Sequence, residues 1–457
     1  MSTETYAIIG AGLSGLTLAL ALHQQCPGSS TTIYESRPAA LDIGGAITLS
    51  PNALRILDRL GIYSRFRQQA YEFDTLHYRT STNQPLDTYE FGSAPKYGYR
   101  GMRIYRHAAI NILTELVAEA GGIQVHYNKK FARVVAETRE EVVFGFADGA
   151  TARARYLLGA DGIHSAVRGY LFPDLGVEFM GAVAVTATVP TQQLYTGRGG
   201  GGAEGEESAD GEWPLPVTIM NRKYGAFVIA PQRKDGEEVL IGRQKRMDRP
   251  RDRAGWAALL NGEGQEGNKE WCVDFLREGV EEFPAIVQRA VQRIDPDTVN
   301  LWPFYRVPQL ERWTSTKMSR EQEQEQEQQY GRVVILGDAA HAIPPSAGQG
   351  VNQAIEDVYT FALIAGRGEK AGTGWEEGRA KAWKAWQAGR QARVDRVLEL
   401  NAKVDSRRMI PLQEGDQEQG VAVEVEMEPF ELGWLYQPDF EVMVDEWLAA
   451  EGVTFGL

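Results

Sequence analysis

The sequence is poor in the residues that hold small secreted domains together or bind metals. Its 457 residues include 2 cysteines and 6 histidines. Cys26 and Cys272 show no metal-ligand or redox spacing, which excludes a disulfide framework and thiol chemistry as the basis of the fold. We expect both cysteines to pack in the interior, and we expect no metal site.

The sequence also lacks a long apolar run and an excess of positive charge. No apolar segment approaches the roughly 20 residues that span a membrane, and the first residues lead into a strand without a basic leader or a cleavage signature. The formal net charge of -14 disfavours non-specific binding to nucleic acid or anionic membranes. We therefore expect a soluble, cytoplasmic protein, a monomer or a homodimer, with no nucleic-acid partner and no membrane span.

The apolar residues that are present allow a large core. They make up 43% of the chain, and its length predicts two or three domains. Strand and helix patterns alternate to about residue 175 and again from residue 331, whereas residues 176–330 are patterned mainly as strands. We predict an α/β protein with a discontinuous Rossmann-type domain (1–175 and 331–370), a mainly antiparallel β-sheet domain (176–330, joined by 76–100) and a helical C-terminal region (371–457). The polar segments 197–211 and 320–329 are predicted surface loops.

A glycine motif follows the first predicted strand. Gly10, Gly12 and Gly15 lie between this strand and a predicted helix, and Glu35 follows about 20 positions later, at the end of the next strand. This spacing is typical of a dinucleotide-binding turn, in which the backbone approaches a pyrophosphate and the acidic residue accepts hydrogen bonds from a ribose. The motif alone leaves FAD and NAD(P) open.

A second ligand-binding turn is predicted late in the chain. Residues 332–336 are a short apolar run typical of a buried strand, and Asp338 follows at its carboxyl end. A turn rich in proline and glycine leads to a helix that we expect to begin near Gly350. The free N–H groups and positive dipole of such a helix favour a negative ligand.

Together with a third motif, these turns resemble those of the group A flavoprotein monooxygenases, the p-hydroxybenzoate-hydroxylase-like family. The resemblance covers most of residues 1–175 and 300–400. It rests on Gly10–Gly15 with Glu35, on GADGIHSAVR at residues 159–168, and on GDAAH at residues 337–341 followed by Pro344, Gly348, Gly350 and Asn352.

The resemblance implies a Rossmann-type FAD-binding domain and a role for each motif. The first motif would hold the ADP half of FAD, Asp161 of the second would lie near the pyrophosphate, and the third would contact the ribityl chain and the flavin ring. Arg106 matches an arginine at the start of a helix that contacts the cofactor, with a surface arginine as the alternative. Gly45 would pass beside the ring, with an ordinary loop as the alternative. The implied FAD-binding residues are Gly10, Gly12, Leu13, Ser14, Gly15, Glu35, Arg37, Gly45, Arg106, Asp161, Asp338, Pro344, Gly348, Gly350, Val351 and Asn352.

The resemblance also implies the reaction. NAD(P)H, as a transient co-substrate, and O2 would be used to hydroxylate or epoxidise an aromatic or heteroaromatic small molecule such as a phenol or an indole, through a flavin C4a-hydroperoxide. The second domain would cover the substrate.

No acid or base for this reaction is evident from the sequence. Asp42, Gly45 and Arg103 are candidates for a catalytic role, although Asp42 also fits a solvated loop. Candidate pocket residues, for which core packing is the alternative, are Tyr97, Tyr99, Arg103, Met220, Phe227 and Phe304.

Two other functions stay open at this point. One is a different flavin oxidoreductase, such as a dehydrogenase or a halogenase, although the WxWxIP segment of halogenases is not apparent. The other is a non-catalytic dinucleotide-binding protein that senses redox state. A retained flavin spectrum would distinguish an enzyme from such a sensor.

Overall fold

The computed structural model describes residues 5–40, 45–195, 213–221, 223–247, 255–256, 269–315, 330–344, 348–408 and 430–454. The predicted loops at 197–211 and 320–329 and the candidate Asp42 lie outside these residues. In chain order the strands are β1 (Thr5–Ile9), β2 (Ser30–Tyr34), β3 (Ala46–Leu49), β4 (Tyr71–Phe73), β5 (Thr75–Thr80), β6 (Pro85–Glu90), β7 (Gly101–Tyr105), β8 (Ile123–His126), β9 (Phe131–Glu137), β10 (Val142–Phe146), β11 (Thr151–Ala154), β12 (Tyr156–Gly159), β13 (Glu178–Pro190), β14 (Val217–Asn221), β15 (Gly225–Pro231), β16 (Glu238–Arg246), β17 (Asn300–Arg306) and β18 (Val333–Ile335).

The helices lie mainly at the two ends of the chain. In chain order they are α1 (Leu13–Gln25), α2 (Pro51–Arg59), α3 (Tyr63–Gln69), α4 (Ala94–Tyr97), α5 (Arg106–Ala120), α6 (Arg168–Leu171), α7 (Lys269–Arg277), α8 (Ala285–Ala290), α9 (Asp338–His341), α10 (Gly350–Ala371), α11 (Thr373–Arg408), α12 (Gly433–Tyr436) and α13 (Phe440–Ala450).

A five-stranded parallel sheet forms the centre of the molecule. Its strand order is β18-β12-β1-β2-β8, and every neighbouring pair is parallel. The apolar residues of β1, β12 and β18 are buried because helices and a further sheet cover both faces. Although β18 follows the second sheet in the chain, it pairs with β12, so the predicted discontinuous Rossmann-type fold is confirmed.

A seven-stranded sheet forms the second layer. Its order is β17-β13-β16-β15-β14-β5-β6, and all neighbours are antiparallel except β14 and β5. One face packs against α7 and α8 through residues such as Val185, Ile229, Ile241 and Ile286. The mainly antiparallel second sheet is confirmed, and it includes β5 and β6 from the first part of the chain. The exact domain boundaries stay a prediction.

A small sheet with the order β3-β7-β4 joins the two layers. Leu49 and Ile104 face the main core on one side. On the other side, Arg103 donates to Pro231 O at 2.8 Å, and Gln232 Oε1 accepts from Ala46 N at 2.8 Å. This sheet was not predicted from the sequence because its strands are short and pair across distant parts of the chain.

Three helices, α11, α12 and α13, lie in the described part of residues 371–457, which confirms the predicted helical region. The helix expected at residues 380–403 extends over Thr373–Arg408, and the one expected at 440–450 is α13. Helix α10 is buried on nearly all sides because α1, α2, α11 and α13 pack around it. Both cysteines are buried, as expected. In the described part of the chain, no helix has the length and apolar character needed to cross a membrane.

The close packing of α10 on α1 gives a test of the fold. A Cβ atom at Gly366 would lie 2.5 Å from Gln25 O, whereas one at Gly378 on α11 would only touch Val453 Cγ1 at 3.9 Å. We expect Gly366→Ala to destabilise the protein by about 1–3 kcal/mol. The matched change Gly378→Ala should stabilise it by up to about 1 kcal/mol, because alanine favours a helix. Thermal unfolding would measure both, and a Gly366→Ala protein as stable as the original would contradict this packing.

Candidate cofactor and substrate site

The first glycine motif forms a tight turn between β1 and α1. Gly10 has a φ of +105°, and a Cβ atom there would lie 2.6 Å from Ala160 O. A Cβ atom at Gly15 would lie 2.0 Å from Gly10 O, so helix and strand pack closely only without a side chain. At Gly12, by contrast, a Cβ atom would meet nothing within 4 Å. No side chain caps the first turn of α1, so its N–H groups are free to bind a ligand in the open space beside Gly12.

Glu35 lies at the carboxyl end of β2, beside this turn. Its Oε2 accepts from Ala11 N at 2.9 Å, and its Oε1 accepts from Arg37 N at 2.9 Å and Ser36 Oγ at 3.0 Å. Because a carboxylate oxygen accepts more than one hydrogen bond, Glu35 can still bind a ribose hydroxyl. The Arg37 side chain is largely exposed, and its Nη1 lies 3.7 Å from Glu35 Oε1.

The motif at residues 159–168 follows the neighbouring strand, β12. Asp161 Oδ2 accepts from Ala166 N at 2.7 Å and from Val167 N at 3.1 Å. Its Oδ1 is buried without a hydrogen-bond partner, and burial raises the pKa of this carboxyl. Arg168 Nη1 donates to Ala339 O at 2.9 Å. The second motif is thereby joined directly to the third, a role of Arg168 that the sequence did not reveal.

Asp338 begins α9 after β18, close to the start of α10. Its Oδ1 lies 3.9 Å from the position of a Cβ atom at Gly350. Asp338 is exposed to solvent, but protein atoms packed around its carboxyl group desolvate it. This desolvation raises the pKa of Asp338 against the opposing effects of His341 and Arg106. Arg106, at the start of α5, is partly buried and its Nε has no hydrogen-bond partner. These groups leave hydrogen-bonding capacity for a ligand.

The first turn of α10 has no side-chain cap, so the N–H groups of Gly350, Val351 and Asn352 are free of capping partners. The Asn352 side chain is fully buried and bonds only to protein: Oδ1 accepts from Ser50 N, and Nδ2 donates to Thr48 O and Gly348 O. Its side chain therefore supports the turn.

The other sequence-predicted cofactor residues lie around the same turns. Ser14 Oγ lies 3.2 Å from the position of a Cβ atom at Gly337, which places the first and third motifs side by side. Leu13 is buried in the main core. A Cβ atom at Gly348 would contact the Phe91 ring at 3.3 Å, and Pro344 is partly buried before the turn.

Gly45 and Arg103 lie where the small sheet meets the seven-stranded sheet. Gly45 O accepts from Arg106 N at 3.2 Å, and a Cβ atom at Gly45 would lie 3.2 Å from Leu240 Cδ1. Arg103 Nη1 donates to Thr48 Oγ1 at 3.0 Å, and burial lowers the pKa of Arg103 to about 10. An open groove of about 1130 Å³ also begins beside Gly45, and it is lined largely by polar residues such as Arg233, Lys234 and Asn300.

The sheet face turned toward Gly45 is different from the face on α7 and α8. Thr218, Val228 and Gly242 lie in register across β14, β15 and β16, and Thr218 and Val228 are only partly buried. We call this surface, with Met220, Ala226 and Gln244 in the next row, the open sheet face. The strand alternation separates the two faces, but the sequence does not say which one is turned to the cofactor.

The structure separates the pocket candidates. Met220 lies on the open sheet face, whereas Phe227 lies in the core beneath the sheet. Tyr97 is buried and its hydroxyl donates to Glu90 at 2.7 Å, so core packing, the alternative named for these candidates, describes both Tyr97 and Phe227. Tyr99 donates to Asp58 at 2.8 Å and is not turned to the open sheet face. Phe304 lies partly buried on the edge strand β17.

The chain matches a protein family described as FAD binding domain over residues 2–200 and 286–373, and it belongs to that family. Open space at Gly12, two uncapped helix starts and the accessible carboxylate of Asp338 fit this anionic, hydroxyl-rich cofactor.

Relatives with curated functions extend over most of the chain. Salicylate hydroxylase of Pseudomonas putida is 26% identical over 377 residues, which are 79% of this chain and 76% of that protein. A 3-amino-4-hydroxybenzoate 2-monooxygenase of Streptomyces platensis is 28% identical over 79% of each chain. The crystal structure of CtdE in complex with FAD and substrate 4 has the same fold, with a TM-score of 0.71, 19% identity and 98% of both chains covered. The protein is a group A FAD-dependent monooxygenase, a class that uses NAD(P)H and O2.

The open space at Gly12 predicts a selective loss of cofactor. Because a Cβ atom there would meet no described atom within 4 Å, we expect Gly12→Val to leave the stability of the apoprotein nearly unchanged and to weaken FAD binding by at least about tenfold. Gly28→Val is the matched control, since its Cβ atom also meets nothing within 4 Å but lies on an exposed turn. Fluorescence titration of the apoproteins with FAD would measure both; equal affinities would contradict the placement of the pyrophosphate.

Proposed function

We propose that this protein hydroxylates or epoxidises an aromatic or heteroaromatic small molecule, such as a phenol or an indole. The supporting observation is the open sheet face, which lies on the side of the sheet that meets Gly45 at Leu240 and has Val228, Gly242 and Met220 among its residues. The relatives named above are hydroxylases and monooxygenases of aromatic compounds by name. An apolar surface beside a ring-binding site suits a flat aromatic substrate.

The overall reaction balances as a monooxygenation. One O2 and one NAD(P)H are consumed; one oxygen atom enters the substrate, and the other leaves as water with the two electrons of the nicotinamide and a solvent proton. When bound, FAD supplies the redox chemistry by taking a hydride from NAD(P)H and activating O2.

The residues of the chain bind, orient and exclude water. The first turn of α1 and Glu35 would hold pyrophosphate and ribose, and Asp338 would accept hydrogen bonds from ribityl hydroxyls. The first turn of α10 would stabilise negative charge on the reduced ring. Asp161 would lie near the pyrophosphate, and Arg106 would contact the cofactor beside Asp338.

No side chain is required to act as an acid or base in this proposal. Arg103 is held by Pro231 O and Thr48 Oγ1, so we assign it to joining the two sheets. Gly45 would leave room for the ring and the substrate. We further propose that the protein works in the cytoplasm as a monomer or a homodimer. Size-exclusion chromatography with light scattering would measure the oligomeric state.

A substrate screen tests the function. We expect the purified protein to be yellow, and at least one phenol or indole to stimulate its NAD(P)H oxidation and to give a product with one added oxygen atom by mass spectrometry. A flavin-loaded protein that no aromatic compound stimulates would overturn the proposed substrate class, whereas a protein that retains no flavin would overturn the cofactor assignment.

The open sheet face predicts a change in substrate binding without a change in cofactor binding. Val228 is partly buried at the centre of this face, so we expect Val228→Phe to raise the KM for the aromatic substrate by about tenfold or more, because the larger ring takes up substrate space. Its FAD content should be unchanged. Val135→Phe on the exposed strand β9 is the control and should leave the KM unchanged. An unaltered KM in Val228→Phe would place the substrate elsewhere.

A further inference from the structure

Helix α11 carries a fully buried arginine that lies behind the proposed flavin site. Arg390 packs against Glu356 and Asp357 of α10, and all three side chains are inaccessible to solvent. Arg390 Nε donates to Asp357 Oδ1 at 2.7 Å, and its Nη1 is paired with Glu356 Oε2. Arg393 also binds Glu356, through Nε at 2.7 Å. Two carboxylates and two guanidinium groups compensate one another in this cluster, as buried charges must.

One arm of the cluster leads to Asp338. Asp357 Oδ2 accepts from Gly337 N at 2.8 Å and lies 2.5 Å from His341 Nε2. Gly337 and His341 are the residues immediately before and at the end of α9, which begins with Asp338. A single carboxylate therefore holds both ends of the turn that carries the proposed ribityl-binding residue.

The contact with His341 is a directed hydrogen bond. The imidazole packs on Trp313, with ring centroids 5.0 Å apart, and its Nδ1 is buried without a hydrogen-bond partner among the described residues. A proton on Nδ1 would be a buried, unsatisfied donor, so we assign the proton to Nε2, which donates to Asp357. The side chain of His341 is thus part of the support of the turn.

A second arm leads from the same arginine to the start of α10. Glu356 Oε1 accepts from Asn52 Nδ2 at 2.7 Å, and Asn52 Oδ1 accepts from Ser50 Oγ at 2.6 Å. Ser50 Oγ in turn accepts from Gln349 Nε2 at 3.1 Å. Gln349 is the residue before the first turn of α10. The two arms therefore end at the Asp338 turn and at the start of α10, where the flavin is proposed to bind.

We propose that Arg390 is a positioning residue for the flavin: through Asp357 and Glu356 it holds the Asp338 carboxylate and the start of α10 in place, without touching the cofactor. This inference rests on the proposed placement of FAD against Asp338 and Gly350. It gives the C-terminal helix α11, which lies outside the glycine motifs, a share in cofactor binding.

A double-mutant cycle between Arg390→Lys and Asp338→Asn tests the proposal. Lysine keeps the charge but loses the guanidinium geometry that serves both carboxylates. We expect Asp338→Asn alone to weaken FAD binding to the apoprotein by about tenfold. If Arg390 acts by placing Asp338, then Asp338→Asn should weaken FAD binding by at least about threefold less in the Arg390→Lys protein, because the carboxylate is already displaced there. Fluorescence titration with FAD measures each affinity.

Arg379→Lys is the matched control. Arg379 is also a buried arginine of α11 and pairs with Glu376, but neither residue contacts the Asp338 turn. The effects of Arg379→Lys and Asp338→Asn on FAD affinity should be independent, so that their fold-changes multiply in the double variant. His341→Phe gives a second route should Arg390→Lys fail to fold: it retains packing on Trp313, removes the donor to Asp357, and should show the same coupling to Asp338→Asn.

The outcomes separate the two proposals. Coupling of Asp338 to Arg390 or His341, with none to Arg379, supports the positioning role. Effects that multiply in every cycle overturn it, because Arg390 would then not act on FAD binding through Asp338. An Asp338→Asn protein with unchanged FAD affinity would overturn the proposed cofactor placement itself.

Discussion

The parallel pairing of β1, β12 and β18 is the constraint on which the site depends. Strands that run in the same direction end at the same edge of their sheet, so whatever follows them in the chain meets there. Gly10 follows β1, Asp161 follows β12 and Asp338 follows β18. Three motifs that are far apart in the sequence form one crevice because hydrogen bonds such as Leu157 N to Arg332 O hold these strands in register.

Buried ion pairs of Arg390 and Arg393 with Glu356 and Asp357 lie behind the same crevice. Burial by itself raises the pKa of Glu356, but the charges of Arg393 and Arg390 outweigh burial and lower it. The carboxylate is therefore ionised inside the protein, at a large desolvation cost that only paired charges offset. We interpret this cost as the consequence of holding the Asp338 turn and the start of α10 by hydrogen bonds, because an apolar core could not hold polar groups such as backbone N–H in place.

The substrate side has a different construction. The small sheet β3-β7-β4 joins the layers through polar contacts of Arg103 and Gln232 at one edge, while the centre of the open sheet face keeps small and apolar residues such as Gly242 and Val228. This is the arrangement expected where a flat apolar molecule must enter and water must be displaced.

The sequence by itself determined the cofactor-binding fold, because tight turns and close backbone approaches require glycine at set positions: Gly10 and Gly15 admit no side chain, and Gly12 faces open space. It also contains a signal for the buried charge cluster, since Glu356 and Asp357 are two adjacent acids among apolar residues of α10. Only the tertiary structure decided which side chains meet, as with Asn52 and Glu356, and which face of the second sheet is turned to Gly45. Such contacts depend on strand register and helix packing across hundreds of residues, whereas a glycine turn depends on a few neighbouring torsion angles.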